Sequence, residues 1–298
     1  MQPVLNSARQ RWSLEGEMAR STVANVIVIF LFLATLTPVA TAQENPQTEE
    51  TRYLGDRFSI RIISGLVNMN TDVAAGRGLG ALIDLEDVLG FDEQISTFGL
   101  EGLYRFTKNR KHAIRFNYGN FDRDAYAELE GSIPILDLEF FGEIASEFVN
   151  QVATLDYQYS FINNGKTEAG ISAGLAIYKY ELALAGEVVI NDDPDQAQFR
   201  SESVGVIAPV PGFGFFINQA LRKDLILEIR TSAIDLSFGE HTGRIFSTWA
   251  SLTWFFSRHV GVGLGLSGSD VAYEKESGEK IKVDIRQSTI NANVTFVF

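Results

Sequence analysis

A histidine beside a carboxylate, with serines close by, is the arrangement that turns a hydroxyl into a nucleophile, and this chain has one such place. His241 follows Glu240, with Ser237 and Ser247 on either side as conceivable nucleophiles. The other two histidines, His112 and His259, stand at turn-like basic stretches. A lone histidine in an exposed turn is usually only solvated. No catalytic residue is therefore expected, and a hydrolase centred on His241 is the enzymatic alternative. A second candidate chemistry is acidic: Asp84, Glu86, Asp87, Asp92 and Glu93, followed later by Asp192, Asp193 and Asp195. Carboxylates bind Ca²⁺ or Mg²⁺, but the ligand spacing of a helix-loop-helix calcium site is absent. A solvated acidic surface is the expectation, with cation binding in the first acidic stretch as the alternative. Gly261-Val-Gly-Leu-Gly265 alternates with apolar residues and opens no helix, so a phosphate-binding loop is excluded. The chain has no cysteine, which removes disulfides and thiolate metal sites. No cofactor and no metal site is called for.

Seven more charges gain meaning only from the elements that carry them: Arg61, Glu101, Arg105, Arg115, Asp156, Glu228 and Arg230. Each falls on the polar row of a segment that alternates with period two, the period of a β-strand. In the first, Phe58, Ile60, Ile62 and Leu66 oppose Ser59, Arg61 and Gly65. In the second, Phe98, Leu100, Tyr104 and Phe106 oppose Glu101 and Arg105; in the third, Ile114, Phe116 and Tyr118 oppose Arg115 and Asn117. Leu155, Tyr157 and Tyr159 oppose Asp156 and Gln158, and Leu225, Leu227 and Ile229 oppose Glu228 and Arg230. Further strands are predicted over residues 171–177, 212–221, 246–256, 260–266 and 288–298. Pro209 and Pro211 cannot donate to a ladder, so they are expected beyond the spanning part of the sixth strand. Apolar residues that leave the outward row, Ile234, Leu236 and Phe238 in the seventh strand and Ile281, Val283 and Ile285 in the tenth, suggest bulges or register changes above a lipid boundary.

The connections fall into two kinds. Those near 107–111, 163–167, 222–224 and 257–259 are tight, while those near 70–95, 121–148, 181–203, 239–244 and 268–280 are mostly long. Short turns on one side and long loops on the other are the rule for transmembrane barrels. The reading is all-β: a closed antiparallel transmembrane barrel of about ten strands, with eight as the alternative. Mixed-sign charges inside such a barrel must be paired or solvated, which predicts a salt-bridged plug; a selective pore would favour a ring of one sign.

Ahead of the barrel, Val23 to Ala34 is apolar and leads to Ala40-Thr41-Ala42, which predicts a signal peptide over residues 1–42, with a possible start at Met18. Residues 43–55 read as a periplasmic leader and 56–298 as the barrel domain. The net charge is −13, and becomes −14 when Arg9, Arg11, Arg20, Glu15 and Glu17 are removed with the leader. Such acidity argues against nucleic acid as a partner.

The last strand ends in Phe296 and Phe298 on its apolar row. This resembles the closing strand of Gram-negative outer-membrane β-barrel proteins, where the terminal aromatic is part of the recognition signal for barrel assembly. Ile83-Asp-Leu-Glu-Asp-Val-Leu-Gly90 is also similar to a stretch of small outer-membrane proteins. The resemblance implies export through the periplasm to the outer membrane. The implied partners are outer-membrane lipid, lipopolysaccharide and the barrel-assembly machinery; the oligomeric state is left open. Lipases, lipid A-modifying enzymes and proteases also use this architecture. A structural or surface-interaction role with a largely plugged lumen is expected, and a narrow porin-like channel for small solutes is the alternative.

Overall fold

The computed structural model describes residues 54, 56–76, 83–135, 138–190, 193–238, 241–275 and 280–298. The expected signal peptide, most of the leader, Asp192 and Glu240 lie outside them. Twelve strands and one short helix appear among the described residues. They are β1 (Phe58–Gly76), β2 (Ile83–Asp84), α1 (Leu85–Leu89), β3 (Gln94–Arg105), β4 (His112–Asn120), β5 (Arg123–Ile135) and β6 (Leu138–Asn163). There follow β7 (Thr167–Ile190), β8 (Asp193–Arg222), β9 (Leu225–Phe238), β10 (His241–Phe255), β11 (Val260–Lys275) and β12 (Lys280–Val297).

Ten of the strands close an antiparallel barrel. Neighbours run β1-β3-β4-β6-β7-β8-β9-β10-β11-β12, and β12 pairs back onto β1 from Ser59↔Val297 to Gly76↔Lys280. β5 continues the path of β4 along β6, and β2 is a short addition to β1. Closure gives the backbone of the spanning strands inter-strand partners, as lipid demands, except along the upper part of the β8–β9 seam. The alternating rows face as their pattern predicts. Ile62, Leu66, Phe98, Leu155, Leu264 and Ile290 lie exposed on the outside, while Arg61, Glu101, Arg115, Asn291, Asn293 and Thr295 are buried inside. At the end with the tight turns, Tyr104, Phe106, Tyr157, Tyr159, Phe161, Trp254, Phe256 and Phe298 form an exposed aromatic ring. Phe298 sits in the β12–β1 closure, its amide donating to the Phe58 carbonyl at 2.8 Å.

The other end departs from the expected loops. Segments 121–148 and 181–203 are largely strand, because β5, β6, β7 and β8 run on as hairpins well past the apolar band. The outward pattern fades there because that face no longer meets lipid, yet the hydrogen-bonded ladder continues without it. The expected bulges at Ile234 and at Ile281–Ile285 are absent. β9–β10 and β11–β12 pair without a register shift, and all four residues are buried on the inward row. They belong to a large apolar cluster with Val67, Phe140, Phe148, Tyr180, Leu184 and Val271. The inward row thus changes solvent partway up: it is polar in the spanning half and apolar in the half beyond.

Pro209 and Pro211 also differ from expectation. β8 passes straight through them, level with Ile177 and Leu175, the last large apolar residues exposed on the outward row of β7. They are tolerated because the barrel has a local edge at that height. Among the described residues, β8 pairs with β9 only between Phe213↔Ala233 and Arg222↔Leu225.

Candidate functional site: a layered lumen

From the turn end upward, the interior is built in layers. The lowest is an apolar stopper of Ala220, Ile226, Phe255, Val297 and Leu54, all at most 4% exposed. Leu54 thereby places the end of the expected leader inside the barrel floor.

Above it, Arg105 donates to Glu168, with Nη2 2.7 Å from Oε2. Glu168 also accepts from Ser160 Oγ at 2.8 Å and Asn218 Nδ2 at 3.0 Å. Glu168 was not singled out in the sequence. Extending the lumen row of Ser172 and Gly174 back by two alternations would have reached it, but the adjacent Asn163-Asn-Gly-Lys166 turn signal masks the strand start.

The next layer gathers five of the seven predicted lumen charges. Glu101 is the hub: Oε1 accepts from Arg61 Nη1 at 3.1 Å and from Arg115 Nη1 at 2.6 Å, and Oε2 is 2.6 Å from Arg230 Nη1. Arg61 also pairs with Glu228 and donates from Nε to Thr295 Oγ1 at 2.9 Å. Trp249, on the lumen row of β10, lies under two of the guanidiniums, with Arg230 Cζ 3.9 Å and Arg61 Cζ 5.0 Å from the ring centroid. Strands β1, β3, β4, β9 and β10 all contribute, so the network crosses the barrel instead of lining one wall. Arg105 stands apart in the layer below. Asp156, register partner of Arg115, faces a cavity above the network and accepts from Thr154 Oγ1 at 3.4 Å.

Glycines on β11 make room for this packing. A Cβ on Gly263 would lie 2.7 Å from Thr253 Oγ1 and 2.8 Å from Asn293 Oδ1, so the side chains of both neighbouring strands lie across it.

Above the network lies a cavity of about 300 Å³. Its lower wall carries Glu101, Arg115, Asp156 and Arg230; its upper wall carries Phe121, Val152, Tyr180, Val271 and Ile285. The large apolar cluster closes over it.

The acidic stretch of 84–93 is divided by the fold. Asp84 caps α1, Oδ1 accepting from the Asp87 amide at 2.9 Å. Glu86 turns inward to pair with Arg123 and accepts from the Thr71 amide at 2.8 Å. Asp87, Asp92 and Glu93 are exposed. Among the described residues, no three His, Asp or Glu side chains stand together as metal ligands. The side chains of Asp193, Asp195, Ser237 and His241 lie outside what is described. Ser247 is on the lumen row, its hydroxyl 2.6 Å from that of Ser232. His112 packs among Tyr157, Tyr159 and Phe106 with its ring tilted to each, and His259 stacks against Phe298, both at the turn end.

No family model matches the sequence, and no curated protein matches it. Solved structures do match. The outer membrane protease OmpT of Escherichia coli aligns over 82% of this chain and 97% of its own, at 10% identity and a TM-score of 0.52. The outer membrane protein OprG of Pseudomonas aeruginosa aligns over 82% and 97%, at 13% identity and a TM-score of 0.34. Ail, the attachment invasion locus protein of Yersinia pestis, aligns over 81% and 99%, at 11% identity and a TM-score of 0.30. Identities this low speak to the fold alone. In its ten closed antiparallel strands, the chain has the fold of Gram-negative outer-membrane β-barrel proteins.

Proposed function

We propose that this protein is an outer-membrane barrel closed to water and ions, which works at the cell surface through the strands that rise beyond the lipid. The observation that carries the reading is the Glu101 hub. Its carboxylate is met by three guanidiniums from three different strands, and side-chain exposure there is 3% or less for Arg61, Glu101, Arg115 and Glu228. Moving ions through this cross-section would require breaking buried pairs, which is costly. The apolar stopper below and the apolar cluster above reinforce the closure.

In this reading the aromatic ring and apolar band contact outer-membrane lipid, the strand extensions face lipopolysaccharide and the medium, and Phe296 and Phe298 engage the barrel-assembly machinery during insertion. The test is single-channel recording of purified protein in planar bilayers. The expected record is flat at physiological salt. Regular porin-like steps would replace this reading with that of a narrow solute channel.

A further inference from the structure

The barrel wall parts on one side. Above Phe213↔Ala233, β8 continues for some twenty residues that, among the described residues, are bonded only to β7, while β9 continues bonded only to β10. The parting begins within the outward apolar band, since Phe213 is level with Ala173 and Pro211 with Leu175. The opposite seam, between β5 and β1, is filled by α1, whose Leu85 and Leu89 are fully buried.

The two prolines keep the β8–β9 seam unzipped. The Ala220 amide donates to the Lys166 carbonyl, which fixes the even-numbered amides of β8 toward β7. The β7–β8 register then holds without a shift to Val188↔Gln198. Positions 209 and 211 therefore turn their amide side toward β9, and proline has no N–H to offer there. One register step above Phe213↔Ala233, Gly212 meets Ile234: a Cβ on Gly212 would lie 3.3 Å from Ile234 Cδ1. Ile234 is the side chain at the inner edge of the seam.

The cavity lies against the bonded foot of this seam, for Phe215, Phe216, Thr231 and Ser232, just below Phe213↔Ala233, are among its lining residues. Its charged lining is balanced, with carboxylates Glu101 and Asp156 against guanidiniums Arg115 and Arg230. A charged guest would upset that balance. Hydroxyls and amides such as Asn117, Ser232 and Ser269 complete the polar side, and the Ser269 hydroxyl has no protein hydrogen-bond partner. The volume lies at the lower end of ligand-binding pockets, about 300–1,000 Å³.

We infer that the cavity is a binding site for a small, neutral, single-chain amphiphile, with its polar head among the hydroxyls and its chain under the apolar roof. The ligand enters sideways from the outer lipid leaflet, between β8 and β9, past Ile234. This is independent of ion closure, because the seam lies above the Glu101 network.

Trp249 at the cavity floor supplies the readout. The sequence has three tryptophans, Trp12, Trp249 and Trp254, and Trp12 precedes the expected cleavage site. In lipid vesicles, the Trp254→Phe protein is titrated with 8-bromooctan-1-ol, whose bromine quenches indole on contact. The converse Trp249→Phe protein, keeping lipid-facing Trp254, reports simple partition into the bilayer. Saturable quenching of Trp249 is expected, at least tenfold weaker with 8-bromooctanoate at neutral pH. The route is tested with Gly212→Cys/Ile234→Cys in the Trp254→Phe background, the oxidised and reduced forms of one folded protein being compared. Oxidation is expected to slow quenching at least tenfold, with recovery on reduction. Quenching of Trp249 that rises linearly like that of Trp254 overturns the site. Equal binding of the carboxylate overturns the neutral-ligand assignment, and an unchanged rate in the oxidised form overturns the lateral route.

Discussion

Arg61 on β1 reaches across the barrel to Glu228 on β9, joining residues separated by 167 positions in the chain. Neither strand pairs with the other; β1 lies between β12 and β3, and β9 between β8 and β10. The ion pair is therefore a strut across the lumen, and it meets Glu101 through the same guanidinium. A strut of this kind fixes the cross-section of the barrel as well as filling it.

Glu101→Ala leaves Arg61, Arg115 and Arg230 without their common acceptor. Breaking a buried pair by removing one partner costs about 3–5 kcal/mol. The expected outcome is a large loss of stability in denaturant titrations in vesicles, together with a new conductance favouring anions. A variant with unchanged stability and no current would refute the hub's role in closure.

Gly263→Ala should also be costly although it adds one carbon. The new Cβ would meet Thr253 Oγ1 and Asn293 Oδ1 inside 3 Å, and Asn293 is already held by its bond to Ser251 Oγ at 3.1 Å. Overpacking of this kind costs about 1–3 kcal/mol. Leu264→Ala on the neighbouring outward position removes only lipid-facing surface, so it should cost less. Thermal melts of the two variants give the ordering, and a reversed order would contradict the assigned faces of β11.

The faces and the count of the spanning strands were legible because lipid and lumen impose an alternation, visible in runs such as Leu155 to Ser160. The charged row was legible for the same reason. What escaped was everything the alternation does not encode. Ile234 and Ile281–Ile285 read as slips only against a lumen that is polar throughout, whereas its upper half is an apolar core. Glu168 hid beside a turn, and Trp249 was passed over although it shares the lumen row of Ser247 and Ser251. The seam at Phe213↔Ala233 depends on which strands part, a relation between distant segments that no single stretch of sequence carries.

Topology gives a third expectation. Asn164 lies in a tight turn beside the aromatic ring, where its side chain accepts from the Thr167 amide at 2.7 Å. Glu202 is exposed on β8 far beyond the apolar band. With no native cysteine to confuse the readout, Glu202→Cys in intact cells should react with a membrane-impermeant maleimide, and Asn164→Cys should react only after lysis. Labelling of position 164 in intact cells would invert the barrel.

The last expectation concerns acid. Asp72 on β1 stands in register between Asp84 of β2 and Asp284 of β12, beyond the apolar band. Burial first, then Asp84, Asp284 and Glu86, hold its carboxyl above the ordinary aspartate range. The folded group keeps its proton to higher pH than the unfolded one, so folding binds protons between the two values. Its stabilising contribution is complete below the unfolded value and is lost as pH rises through the folded one. Asp72→Asn, which cannot ionise, should therefore gain stability over the parent at neutral pH, and the gain should shrink as pH falls toward the ordinary aspartate value. The difference between the two proteins' denaturation midpoints, followed from neutral to acid pH, measures this directly. A difference that stays constant, or that grows on acidification, would show that the three aspartates do not repel one another in the folded protein.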